Sequence, residues 1–302
     1  LRNVAFFVFL CAPLWLSSTT WHIKQDGSGD FTTIQEGINA AATADTVLVY
    51  PGSYFENINY NGMCLTVGSL YLTTGEEQYI NQTIIDGNQI GSCVRIISEE
   101  DSTSVLCGFT LINGIGTLDT SGISLLGGGI YIKNSQPYIL NCLIQNNSAN
   151  SGGGICCVNA HPFLSKTKII NNHTIASGGG LSLIQESNIT FDNINLCDIY
   201  LNYSESGCEI FKNTSNPEIF VYVDTFTVIN PDEYFVVSSN STGPSPNSIH
   251  MSIQHAKLVP VDNNLFVSPS GSNSNSGLSP DTSLKTLNYA LSLVKSDSLN
   301  PH

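Results

Sequence analysis

Asp192, Asp198 and Lys212 are the residues of this 302-residue chain whose types and spacing come closest to a catalytic set. Two carboxylates flanking a bond between sugars can divide the acid and base work of cleaving it. Acidic oxygens gathered together can instead hold calcium. Asn193 and Asn195 are interleaved with the aspartates. The spacing by itself shows neither carboxylates converging on a glycosidic oxygen nor a base beside an acidic metal cluster. No other metal or cofactor is evident. Cys156 and Cys157 are adjacent, so on a strand they face opposite sides, and no histidine pattern accompanies them. Cys107, Cys142 and Cys156 sit in strand-like apolar text and are expected to pack in the interior.

The elements that must position these residues are repeats. Gly127-Gly128-Gly129-Ile130 returns as Gly152-Gly153-Gly154-Ile155 and again as Gly178-Gly179-Gly180-Leu181, a period of 25 or 26 residues. Such a period marks a solenoid. Helical repeats need long runs of 3.6-residue periodicity, whereas this text is short: Gly-Ile-Tyr-Ile, then Tyr-Ile-Leu-Asn-Cys-Leu-Ile, divided by Gly, Asn, Ser and Pro. β-branched residues favour strands, and Gly and Asn tolerate the left-handed backbone of a sharp corner. The expected fold is all-β, a right-handed parallel β-helix solenoid with an N-terminal capping strand and short helix. Residues one period apart should stack: Cys142, Thr167 and Asn193; Ile144, Ile169 and Asn195; and the pairs Asn146/Asn147 and Asn171/Asn172. The stacked asparagines read as a turn ladder. A nucleotide loop would need a helix after the glycines, and none follows.

Residues 1–20 read as a secretory signal, with Arg2 ahead of the apolar stretch Val4–Leu16. That stretch is too short to span a bilayer comfortably, so no membrane span is expected in the mature chain. Formal charge is −14 with ten Lys and Arg, which excludes nucleic acid as a partner because phosphate binding needs clustered cations. Lys166 and Lys168 are the nearest approach to such a cluster. Thr33 and Glu36 form a capping box for a short helix whose apolar face includes Ile34 and Ile38. This unit would cover the open end of the solenoid. Residues 21–229 are expected to form the β-helix domain, with 70–82 and 115–126 as excursions of the kind that carry binding loops. Asp86 and Arg95 are expected to bridge neighbouring coils. Residues 230–262 read as a linker or loose terminal coil. The opening phrase then recurs: Leu265–Gly271 matches His22–Gly27, and Leu284–Leu291 matches Phe31–Ile38. Residues 263–302 therefore read as the truncated start of a second β-helix domain that packs poorly.

Asp26-Gly-Ser-Gly-Asp-Phe-Thr-Thr-Ile-Gln, Thr46–Tyr54, Ile84–Asn88 and the Gly-Gly-Gly-Ile repeats together resemble the pectin-lyase-like superfamily, and within it secreted bacterial proteins carrying right-handed β-helix repeats. The likeness covers roughly residues 21–225 and implies the fold more than an activity, since this fold hosts many chemistries. The opening phrase also resembles the N-terminal cap of pectin methylesterases, but their catalytic Gln-Asp-Thr and Asp-Phe-Ile-Phe-Gly segments do not occur here. Nor do the Asn-Thr-Asp, Asp-Asp and Gly-His-Gly segments of polygalacturonases. Pectate lyases use calcium held by acidic residues with a basic residue to abstract a proton, and resemblance to them singles out Asp192, Asp198 and Lys212. The expected function is that of a secreted or cell-surface module that binds carbohydrate or a surface protein, or serves as a stalk. The alternative is a polysaccharide lyase or glycoside hydrolase acting on an acidic or neutral polysaccharide. An exposed aromatic row that includes Tyr200 and Tyr203 would favour carbohydrate.

Overall fold

The computed structural model describes residues 18–214, 218–240, 243–244 and 248–295. The signal-like residues 1–17 lie outside them. The chain winds as a right-handed parallel β-helix with three long sheets and a small fourth one. One coil shows the plan: Ile130–Lys133 lies in the first sheet, Tyr138–Leu140 in the second, Leu143–Gln145 in the third and Ser148–Ser151 in the fourth. Ile155–Val158 then pairs with Ile130–Lys133, one coil further on.

The interior is built from stacked files, one per long sheet. Ile58, Val94, Ile130, Ile155, Leu181 and Ile210 are register partners in the first sheet, and all are fully buried. Val47, Val67, Leu106, Ile139, Leu164 and Phe191 form the file of the second. Tyr54, Ile85, Leu111, Ile144, Ile169, Ile199 and Phe226 form that of the third. Each fully buried side chain of this kind contributes about 1.5–3 kcal/mol.

Corners are turned by residues in the left-handed region. Asn146 and Asn171 take positive φ and point outward, while the next residues, Asn147 and Asn172, are buried. Asn172 donates from Nδ2 to Asn202 Oδ1 at 3.0 Å, and Asn147 Nδ2 donates to Asn172 Oδ1 at 3.1 Å. The expected ladder is present and extends to Asn202. The expected stacking of Ile169 on Asn195 is not: Ile169 pairs with Ile199. Asp192 is the reason. Its carboxylate accepts from the backbone of Ile194 and Asn195, which turns the chain outward as a loop and delays the next strand.

At the N-terminal end, α1 (Ile34–Ala40) covers the first coil with Ile34, Gly37 and Ile38 buried. Thr33 caps it, and Glu56 accepts from the N–H groups of Ile34 and Gln35. Asp45 fastens the entering strand by accepting from Thr19 N and Trp21 Nε1. Excursion 70–82 folds as α2 (Tyr71–Thr74) and α3 (Gln78–Gln82), and excursion 115–126 as an antiparallel hairpin. Asp86 and Arg95 do not meet. They lie on the third and first sheets, and Asp86 accepts from Asn113 Nδ2 and Asn88 N instead.

The strands Val236–Asn240 and Ile249–Ala256 extend the first and third sheets by one coil. Beyond them the opening design is repeated in detail. Val267 bridges Leu284 as Ile23 bridges Phe31, and Thr286 caps α4 (Leu287–Leu293) as Thr33 caps α1. Against the expectation of poor packing, Leu284, Ala290 and Leu293 bury themselves with Leu258, and Leu201 of the solenoid packs against them.

The eight described cysteines are all free, and only Cys64 is partly exposed. Burial pushes the thiols of Cys93, Cys142, Cys156 and Cys197 up to about 12, so they are neither nucleophiles nor accessible. A thiol titration of the native protein should show Cys64 reacting fast and the buried seven only after denaturant is added. Fast reaction of several thiols without denaturant would contradict this packing.

Candidate functional site

An open groove of about 660 Å³ runs along the outer face of the third sheet. Outward residues of successive strands form its floor, in the order Leu143, Lys168, Asp198 and Asp224. One wall is the excursion, through Glu77, Ile80 and Asn81. The loop set by Asp192, at the same corner several coils further on, provides another part of the rim, with Ile194, Asn195 and Leu196.

The wall is fastened in place by the sequence beneath it. Gly108, at φ +82°, leaves room for Tyr71, whose side chain a Cβ there would meet at 2.8 Å. Tyr71 OH donates to Asn141 Oδ1 at 2.9 Å, and Thr110 Oγ1 donates to the Ile80 carbonyl at 2.8 Å. Across the corner, Lys166 Nζ donates to Glu77 Oε1 at 2.9 Å.

Charges in the groove are matched in pairs. Lys168 Nζ lies 3.1 Å from Asp198 Oδ2, and Asp198 Oδ1 accepts from Thr225 N. Asp224 Oδ1 lies 3.1 Å from His255 Nδ1. The hydrogen bond to Glu77 raises the Lys166 pKa, and that to Asp198 raises the Lys168 pKa. Both amines are therefore held protonated, the reverse of what a general base needs. Among the described residues no group of three or more His, Cys, Asp or Glu side chains is arranged to hold a metal ion, calcium included.

The three residues singled out from sequence are not brought together. Asp198 lies on the groove floor. Asp192 sits behind the rim as the cap of its loop; the Asn195 amide foremost, then Ile194 N–H and the Ser165 hydroxyl, hold its carboxyl well below the usual range. Lys212 is on the first sheet and points into the interior, 3.2 Å from Ser248 Oγ, where burial lowers its pKa. One face of the Tyr200 ring is covered by the Lys257 amine, 5.0 Å from its centroid. Outward rings pair elsewhere: Tyr138 and Phe163 on the second sheet are tilted by 34° with centroids 4.8 Å apart, and Phe220 stacks on His250 on the third sheet, also at 4.8 Å. Sequence reasoning missed Glu77, Asp224 and the roles of Lys166 and Lys168. The signal for the first was the excursion; for the lysines, it was their standing as the one cluster of cations.

The fold places the chain in the structural class of right-handed parallel β-helix proteins. Among solved structures the chain is similar to pectin methylesterase from carrot, with 14% identity, 81% of this chain and 84% of that chain covered and a TM-score of 0.37. No protein-family model and no curated protein matches it. Among the described residues no helix is long and apolar enough to cross a membrane.

Proposed function

We propose that the protein is a secreted or cell-surface β-helix module of the pectin-lyase-like kind, and that its groove holds a neutral polysaccharide without cleaving it. The observation that carries this reading is the groove lining: fixed carboxylates and amides interspersed with Ile80, Leu143, Ile170 and Ile194. Sugar hydroxyls both donate and accept, so they suit a surface that offers carboxylate acceptors beside amide and ammonium donors. The aliphatic side chains meet the C–H faces of the rings. A polyanion is disfavoured because both lysines already have carboxylate partners and the chain carries a net charge of −14. The stretch Val4–Leu16 supports export.

The double variant Lys168→Ala/Asp198→Ala tests this reading. An ion pair whose lysine is more than half exposed contributes at most about 1 kcal/mol to stability, and the Thr225 N–H that loses Asp198 Oδ1 is part-buried, so the melting temperature should fall by only a few degrees. Retention of the neutral glycan in affinity electrophoresis should fall by about tenfold or more, the loss of one to two charge-assisted hydrogen bonds. Unchanged retention would remove the groove from the assignment.

A further inference from the structure

The asparagine ladder has a direction and an end. Gly114 N donates to Asn147 Oδ1 at 2.9 Å. Asn147 donates to Asn172 Oδ1 through both its backbone N and Nδ2, at 3.0 and 3.1 Å. Asn172 repeats this toward Asn202 Oδ1 at 2.9 and 3.0 Å. Asn202 then donates from Nδ2 to Glu209 Oε2 at 2.6 Å and from N to Glu209 Oε1 at 3.3 Å. Every rung thus passes two donors forward, and the last acceptor is a carboxyl group.

The position of Glu209 in the repeat explains how it gets there. Gly207-Cys208-Glu209-Ile210 aligns with Gly178-Gly179-Gly180-Leu181, since Leu181 and Ile210 are register partners. Glu209 therefore stands where earlier coils have Gly129, Gly154 and Gly180. A Cβ on those glycines would lie 3.2, 3.1 and 2.9 Å from the Nδ2 of Asn147, Asn172 and Asn202. The backbone carbonyl of the next coil is nearer still, at 2.6, 2.6 and 2.7 Å, so glycine is required at all three positions by the close approach of the coils, with the ladder amide crowding the same place. At the fourth coil the glutamate side chain fills that place itself. Thr227 Oγ1 donates to Glu209 Oε1 and accepts from Leu201 N at 2.8 Å. Glu209 thereby ties together the corners that follow Cys197–Tyr200 and Ile219–Phe226, the strands that carry Asp198 and Asp224.

We propose that Glu209 is a pH-sensitive lock on the C-terminal coils: as the neutral acid it closes the ladder, accepting from Asn202 while its own O–H turns to Thr227 Oγ1 and reverses the direction of that bond, and on ionisation it loosens those coils by placing a charge in the interior. Its side chain is fully buried, and among the described residues no cation pairs with it. The titratable groups that face it are Tyr203 and Cys208, both neutral where a carboxyl titrates. Burial lifts its pKa from 4.5 to about 7, against the opposing hydrogen bonds of Thr227 and Asn202. Because the folded state keeps a proton that the unfolded state has lost, the contribution to stability is full below about pH 4.5 and declines as pH rises to about 7.

The test compares thermal unfolding of the full chain and Glu209→Gln from pH 5 to pH 8. Glutamine keeps an oxygen for Asn202 and removes the proton equilibrium. Wild type should melt roughly 5 °C lower at the alkaline end, and the Glu209→Gln profile should lack that fall. Equal falls in both proteins would overturn the proposal. Carboxyl ¹³C titration of the wild-type protein reads the same group without a variant, and it decides alone if the variant does not fold. One glutamate should titrate with a midpoint near 7. Midpoints confined to the ordinary carboxylate range for all glutamates would equally overturn it.

Discussion

Asn172→Ala should destabilise the solenoid by about 3–5 kcal/mol, through groups left without partners rather than through a cavity alone. Removing the side chain takes the acceptor from Asn147 N and Asn147 Nδ2. It also takes the donor from the Ile144 carbonyl and from Asn202 Oδ1. Asn147 Nδ2 keeps bonds to Leu111 and Gln145 carbonyls at 3.0 Å, but its backbone N–H is stranded in the interior. A buried unsatisfied group costs about 1–3 kcal/mol. The neighbouring change Asn171→Gly is the control, since Asn171 is exposed with φ 54° and glycine accepts that backbone freely. It should stay within about 0.5 kcal/mol of wild type. Chemical denaturation of the two variants measures both. Equal effects would show that the ladder is decoration on the corner rather than its support.

Gly153→Ala should be at least as damaging, about 3–5 kcal/mol or failure to fold. A Cβ there would meet Gly179 O at 2.6 Å, His173 O at 2.7 Å and His173 N at 2.9 Å. All three are backbone atoms of the next coil, held by hydrogen bonds such as Gly153 N to Gly178 O at 3.1 Å and Gly154 N to Gly179 O at 3.0 Å. No rotamer change relieves such a clash. Gly75→Ala is the comparison, because nothing lies within 4 Å of its added Cβ and only its φ of +70° resists the change. That strain costs about 1–2 kcal/mol. A Gly153→Ala protein that unfolds at the same denaturant concentration as Gly75→Ala would contradict the close approach of the coils.

These two sites were legible in the sequence because they repeat. The glycine triplets gave the period, and the first sheet keeps the register they imply, Ile130 to Ile155 to Leu181. The asparagine pairs announced a ladder, although nothing in Asn146-Asn147 says that the second residue is the buried one. Local hydrogen bonding hid the rest. Asp192 inserts a loop that pattern matching read as strand, so Asn195 was aligned with Ile169 when Ile199 occupies the place. The groove was invisible for another reason: Glu77 and Lys166 are 89 residues apart and meet only because an excursion from one coil folds back over later ones. Lys212 and Asp198 are much closer in sequence, yet they face different directions from different sheets. Sequence reasoning missed Glu209 altogether; the signal that could have found it is a glutamate in place of the repeat glycine, in Gly207-Cys208-Glu209-Ile210. Its meaning depends on the ladder that it ends.

The most direct test of the proposed function is to incubate the folded protein with neutral and acidic polysaccharides, with and without calcium. Retention of each polymer on the protein and the mass of every product are then measured. The groove geometry predicts retention of a neutral polymer whose chain length is unchanged, with or without the metal. Shortened or unsaturated oligosaccharides would contradict the account and make Asp198 a catalytic candidate, while retention of acidic polymers alone would contradict the reading of its paired lysines.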